Sequence, residues 1–123
     1  MRGDLYAADC PSRQVLDRIG DRWSVLVVST LADGTLRHGG IAGRIHGITP
    51  KMLTQTLRGL ERDGLVHRTV YAEVPPRVEY GLTDLGHDLV GLMRRLEDWA
   101  ETHIGDVESA RSDYDARATA SRK

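Results

Sequence analysis

One cysteine, Cys10, stands among 123 residues. It cannot close an internal disulfide, so a disulfide-stapled secreted scaffold is excluded and a reducing cytoplasm is expected. No apolar run approaches the ~20 residues that a bilayer-spanning helix needs. Met1-Arg2-Gly3-Asp4-Leu5-Tyr6 lacks the apolar core of a signal peptide, so no membrane partner is expected. Catalytic constellations are missing too. His38, His46, His67, His87 and His103 are scattered, with no His-x-x-x-His, no paired cysteines and no nucleophile motif. No catalytic residue, metal site or cofactor is therefore expected, and the chain does not read as an enzyme. Net charge is small as well: 17 Lys+Arg against 18 Asp+Glu give −1, which taken alone speaks against a nucleic-acid partner.

The distribution of charge reverses that impression. Between residues 37 and 68 the cations Arg37, Arg44, Lys51, Arg58, Arg62 and Arg68 face only Glu61 and Asp63. Between residues 84 and 108 the balance is acidic. Such a layout can turn one basic face toward phosphates while the whole molecule stays near neutral.

The basic stretch centres on one well-marked helix. Thr49 can cap its first turn, Pro50 suits the first helical position, and Gly64 can take the left-handed conformation that closes it. At 3.6 residues per turn, Leu53, Leu57 and Leu60 share a core face, and Lys51, Thr54, Gln55, Arg58 and Arg62 share the opposite one. Those outer groups match what a major groove presents: Arg or Lys for guanine, Gln for adenine, Thr for a phosphate or a thymine methyl. A brief helix over 39–45 and the turn at Gly47-Ile48 precede it, which makes a helix-turn-helix.

The elements on either side follow from local signals. Residues 1–11 read as an irregular arm and Ser12 as the cap of a short helix over 13–19, with Val15, Leu16 and Ile19 on its apolar side. A second helix ends near Leu31, with Trp23, Leu26, Val27 and Leu31 as its expected buried set; its β-branched residues would also permit a strand, but the spacing favours helix. Residues 34–37 form a short extended piece. After Gly64, residues 65–71 and 78–82 read as the two strands of a hairpin, whose tip carries Pro75, Pro76 and Arg77. A basic tip beside a helix-turn-helix suits a minor groove. Thr83 then caps a helix in which Leu85, Leu89, Leu92, Leu96, Trp99 and His103 recur at intervals of three and four. So broad an apolar stripe calls for a partner subunit. Gly105 is expected to break it. The domain expectation is 1–108 as a single winged helix-turn-helix domain carrying dimerisation helices at both ends, and 109–123 as a polar, flexible tail. The fold class is mainly α with a small β-hairpin.

With these elements in place the chain resembles the HxlR-type branch of winged helix-turn-helix regulators, which is similar to the MarR group. The resemblance covers roughly residues 10–99. It rests on Cys10-Pro11, Gly20-Asp21-Arg22-Trp23, the run 48–66, and Tyr71-Ala72-Glu73-Val74-Pro75-Pro76-Arg77-Val78-Glu79-Tyr80 leading to Leu82-Thr83-Asp84-Leu85-Gly86. One departure is His38, where the family usually has Phe, followed by an extra glycine.

The resemblance implies a homodimer that binds a palindromic operator in double-stranded DNA as a transcriptional regulator, repression being its commoner output. It puts Lys51, Thr54, Gln55 and Arg58 on the recognition helix and Arg77 on the wing, and Thr49, at the cap of that helix, is an expected DNA contact beside them. The dimer would form from the N- and C-terminal helices, through Leu16, Leu89, Leu92, Leu96 and Trp99. Some relatives sense oxidants or electrophiles with a cysteine at the place of Cys10. That chemistry needs exposure and a nearby positive charge, and Arg13 is the only nearby cation in sequence; a buried packing role is the competing reading. Two further alternatives stay open: a winged helix used for protein–protein contact, and a regulator controlled by a small-molecule effector rather than by thiol chemistry.

Overall fold

The computed structural model describes residues 4–121. The first three residues of the expected arm and the last two of the expected tail lie outside the described residues. The elements run α1 (Pro11–Gly20), α2 (Arg22–Thr30), α3 (His38–Ala42), α4 (Pro50–Arg62), β1 (Val66–Tyr71), β2 (Arg77–Leu82) and α5 (Asp84–Ser121). Two compact units divide within α5, at Val90 and Gly91.

In the first unit α4 is the central element, packed on α2, α3 and β1. Leu53, Leu57 and Leu60 are buried as their spacing requires, and Thr56 joins them at the edge of the same face. Both ends of α4 are locked by short-range chemistry. The Thr49 hydroxyl accepts from the Met52 amide at 3.1 Å, and Pro50 follows at the first helical position. At the other end Gly64 takes φ +76°. The Leu65 amide donates to the Leu60 carbonyl and the Gly64 amide to that of Glu61, both at 3.0 Å. This pair of bonds is the Schellman closure, and the buried Leu60 and Leu65 supply its hydrophobic contact.

The hairpin is antiparallel, with Val66 opposite Leu82 and Tyr71 opposite Arg77. Leu36 pairs with Tyr80 through bonds of 2.9 and 2.8 Å, so the extended piece expected at 34–37 adds a short third rung to the sheet. Thr83 ties the base of the hairpin to α5. Its hydroxyl donates to the Gly64 carbonyl at 2.6 Å and accepts from the Gly86 amide at 3.1 Å.

Four expectations need correction. α1 begins at Pro11, so Cys10 rather than Ser12 occupies the cap position, without a side-chain cap bond. Proline is well placed at the first helical position and moves the start earlier. The buried face of α2 is Ser24, Val27, Val28 and the adjoining Leu31, while Leu26 is exposed and Trp23 only half-buried. Ser24 can face inward because its amide and hydroxyl both donate to the Asp21 carboxylate, at 3.0 and 2.9 Å. Finally, Gly105 does not end α5, which continues to Ser121. Residues 109–121, expected as a flexible tail, are helical. One glycine costs a helix interior only about 1 kcal/mol, and Ala110, Ala116, Ala118 and Ala120 beyond it are strong helix formers. α3 is also shorter than expected, five residues ending at Ala42.

Candidate nucleic-acid interface

The outer face of α4 is built as its sequence suggested. Lys51, Gln55 and Arg58 are exposed, and Thr54 is half-exposed beside them. Among the described residues, no carboxylate pairs with Lys51 or Arg58, nor with the exposed Arg37 and Arg44 of the preceding helix and turn. Their positive charge is therefore free to meet an external anion. The α4 start adds amide donors that no intrahelical carbonyl accepts, a further anion-binding feature. Arg62, the last of the outer set, is exposed at the far end of the helix.

The α3 start is joined to this face. His38, the first residue of α3, places its Nε2 3.1 Å from the Thr54 hydroxyl oxygen. In the sequence His38 stands out only as one of the scattered histidines and as a departure from the family pattern. Nothing local connects residues 38 and 54; the turn between the two helices brings them together. A second tie lies at the other end of α4. Arg18 Nε donates to Asp63 at 2.9 Å, and its guanidinium lies over Gly59, where a β-carbon would come within 2.7 Å of it. Arg18, Asp21, Trp23, Met52, Gln55 and Thr56 line a shallow polar hollow beside the outer face.

The wing differs from expectation. Arg77 is not at the tip but is the first residue of β2. Its guanidinium is 3.1 Å from Glu73 and 3.2 Å from Glu79 and lies over the Tyr71 ring, 3.9 Å from its centroid. Its Nε is buried without a hydrogen-bond partner. The tip itself exposes Val74, Pro75 and Pro76. The other wing cation, Arg68, sits 3.6 Å from Glu61. The wing thus presents an apolar tip over a compensated charge cluster, in contrast to the unpaired cations on α4 and flanking α3.

The helices expected at a subunit interface expose apolar side chains. On α1, Val15 and Leu16 are exposed; on α5, Leu85, Leu92, Leu96, Trp99 and Ile104 are, while Leu89 is half-buried. The Trp99 and His103 rings stack with centroids 4.6 Å apart. Cys10 is free and buried, 6% exposed. Its amide donates to the Ala7 carbonyl at 3.1 Å. Arg13 spends a guanidinium donor on the Tyr6 carbonyl at 2.9 Å, so the one nearby cation helps fasten the turn of 4–9 in front of Cys10. Among the described residues there is no helix long and apolar enough to cross a membrane and no cluster suited to a metal ion.

Comparison with known proteins agrees with this geometry. The chain is 41% identical over 111 residues to the HTH-type transcriptional regulator YtfH of Escherichia coli K12, covering 90% of this chain and 88% of that one. The structure of the transcriptional regulator ytfH from Salmonella typhimurium superposes with a TM-score of 0.81 at 41% identity, covering 90% of this chain and 99% of that one. The redox regulator HypR in its reduced form superposes with a TM-score of 0.75 at 39% identity, covering 80% and 98%. A profile of the HxlR-like helix-turn-helix proteins matches residues 18–108. A capped helix with a free cationic face, a wing beside it and these matches together make the chain a transcriptional regulator of the winged-helix type, and it belongs to the HxlR-like helix-turn-helix family.

Proposed function

We propose that this regulator is a homodimeric repressor that binds a palindromic DNA operator, with α4 of each copy in a major groove and each wing over the flanking backbone. The observation that carries the reading is the contrast in pairing: among the described residues, Lys51, Arg58, Arg37 and Arg44 have no carboxylate partner, whereas Arg18, Arg68 and Arg77 do. Unpaired cations release counterions when they meet phosphates, and that release drives association with DNA. In this reading Lys51 and Thr49 seat the start of α4 against a phosphate, and Thr54, Gln55 and Arg58 meet base edges. Arg77 braces the wing, because a minor-groove contact would require its guanidinium to leave both Glu73 and Glu79. The two copies would join through Leu16 on α1 and Leu89, Leu92, Leu96 and Trp99 on α5. A protein-binding use of the winged helix would need an acidic partner to meet the same cations, and the salt dependence of duplex DNA binding separates the two.

A thiol response through Cys10 is the regulatory part of the proposal. It is favoured over a small-ligand effector by the likeness to HypR, a redox regulator. With one cysteine per chain, oxidation can join only Cys10 to a partner copy's cysteine or to a small thiol. Because Cys10 is buried, its surroundings must open before a reagent reaches the sulfur.

The test is a gel shift on the intergenic DNA beside the protein's own gene, with unlabelled competitor and with or without diamide. The reading predicts a competitor-resistant complex that weakens on oxidation in the wild type and not in Cys10→Ser. A complex that survives diamide equally in both proteins removes the thiol response. A protein that shifts no DNA above background at low salt removes the DNA reading.

A further inference from the structure

The free cations of α4 account for affinity, but not for the contact between α3 and the recognition face. His38 Nε2 lies 3.1 Å from Thr54 Oγ1. Both side chains are half-exposed, and Thr54 is on the same outer face as Lys51, Gln55 and Arg58. His38 is held where it is by backbone. It opens α3, and Ile41 on the next turn is wholly buried, so the start of α3 is anchored to the core. α4 is fixed by Leu53 and Leu57, the residues one position before and three positions after Thr54, both buried. The two partners therefore meet across a rigid junction.

A threonine hydroxyl has one proton and two acceptor lone pairs. A histidine ring within hydrogen-bond reach takes one of these, and what remains is what DNA meets. If Nε2 accepts the hydroxyl proton, Oγ1 is left as an acceptor and suits the amino groups of adenine or cytosine. If Nε2–H donates to Oγ1, the hydroxyl keeps its proton and suits the acceptors of guanine, the O4 of thymine or a phosphate oxygen. In either case the ring also stops Oγ1 from swinging between rotamers, so one hydrogen-bonding direction is presented to the groove.

We propose that His38 is a specificity-positioning residue, which acts through Thr54 by fixing the direction and polarity of its hydroxyl, so that the base preferred opposite Thr54 is set by the pair rather than by Thr54 alone. This rests on the reading that α4 lies in a major groove.

The test is competition binding of full-length protein to an operator and its single-base variants, for wild type, His38→Phe, His38→Gln, Thr54→Val and the double variant His38→Phe/Thr54→Val. Thermal melting of each protein confirms folding. His38→Phe and Thr54→Val are expected to lose discrimination at the same single base pair of each half-site, by about 5- to 30-fold, the loss of one hydrogen-bonded base contact. The double variant should lose no more than either single one, since both break one interaction. His38→Gln, whose amide can still bond Oγ1, should keep most of the discrimination. Wild-type preference retained in a folded His38→Phe overturns the proposal. A loss at a base pair different from that of Thr54→Val also overturns it, because His38 would then act on its own. If His38→Phe does not fold, His38→Gln decides: discrimination kept at that base pair supports the proposal, and discrimination lost there overturns it. Absence of any base preference in the wild type would remove the DNA reading itself, a different and separately visible failure.

Discussion

A methyl group on Gly86 would strike the carbonyl oxygen of Leu65 and crowd Leu82. The clash is with backbone that Thr83 also uses, since the Thr83 amide donates to that carbonyl at 3.1 Å. Gly86→Ala must push α5 away from the base of the wing and is expected to destabilise the fold by about 1–3 kcal/mol, the usual range for overpacking, read as a lowered melting temperature. Gly91 and Gly105 are the counter-case. Both lie inside α5 with nothing within 4 Å of an added β-carbon, so alanine at either should stabilise by about 0.5–1 kcal/mol. A lowered melting temperature for Gly105→Ala would mean that the helix is interrupted there. Residues differ in how far sequence exposes them. Thr49, Pro50 and Gly64 act within a few positions of themselves and are legible. The pairing of Arg77 is not, because its partners Glu73, Glu79 and Tyr71 are set by hairpin register, and the two prolines before it read as tip rather than strand. His38 was missed for the same reason at longer range.

At the scale of elements, the capped α4 was readable because every constraint on it is local and agrees: cap, proline, apolar period, terminal glycine. α2 was harder. Its apolar residues Trp23, Val25, Leu26, Val27, Val28 and Leu31 cover overlapping faces; packing on α1 and α4 chooses among them, and the Asp21–Ser24 bonds, invisible to periodicity, let Ser24 be buried with its polar groups satisfied. α4 and the wing carry distinct predictions. Gln55→Ala or Arg58→Ala should relax preference at one base position per half-site by about 1–3 kcal/mol, measured on operator variants; an unchanged preferred site removes that residue from the readout. Arg77→Ala should weaken binding by about tenfold, ~1.4 kcal/mol, evenly across operator sequences and with no change in salt dependence. A direct phosphate contact would instead flatten the salt slope by about 0.9, and that result would return Arg77 to the groove. Glu79→Gln separates the two by the sign of its effect: it weakens binding if Arg77 is a brace and strengthens it if Arg77 is a restrained reader.

For the whole molecule, a chain of nearly zero net charge still presents a basic face, because Lys51, Arg58, Arg37 and Arg44 lie on and beside α4 without carboxylate partners among the described residues, while Arg18, Arg68 and Arg77 fold back onto carboxylates. Pairing was not legible from composition, since it depends on which cations fold back onto carboxylates. The reach of α5 is likewise not legible locally, since Gly105 is a stop signal that the helix carries through to Ser121. If α1 and α5 form the subunit interface, Leu96→Glu should convert a dimer to a monomer in sedimentation analysis and weaken operator binding, because two half-sites are then no longer held together. A dimer unaffected by this change would place the interface elsewhere.

The most direct measurement is selection of bound sequences from a random duplex pool by the full-length protein at near-physiological salt. The account predicts a single inverted repeat whose half-site centres lie about one helical turn, or a whole number of turns, apart, with a defined base lost from each half-site when Arg58→Ala is selected in parallel. A pool that returns no enriched sequence, or an enriched sequence unchanged by Arg58→Ala, Gln55→Ala and Thr54→Val alike, would contradict the claim that α4 reads DNA.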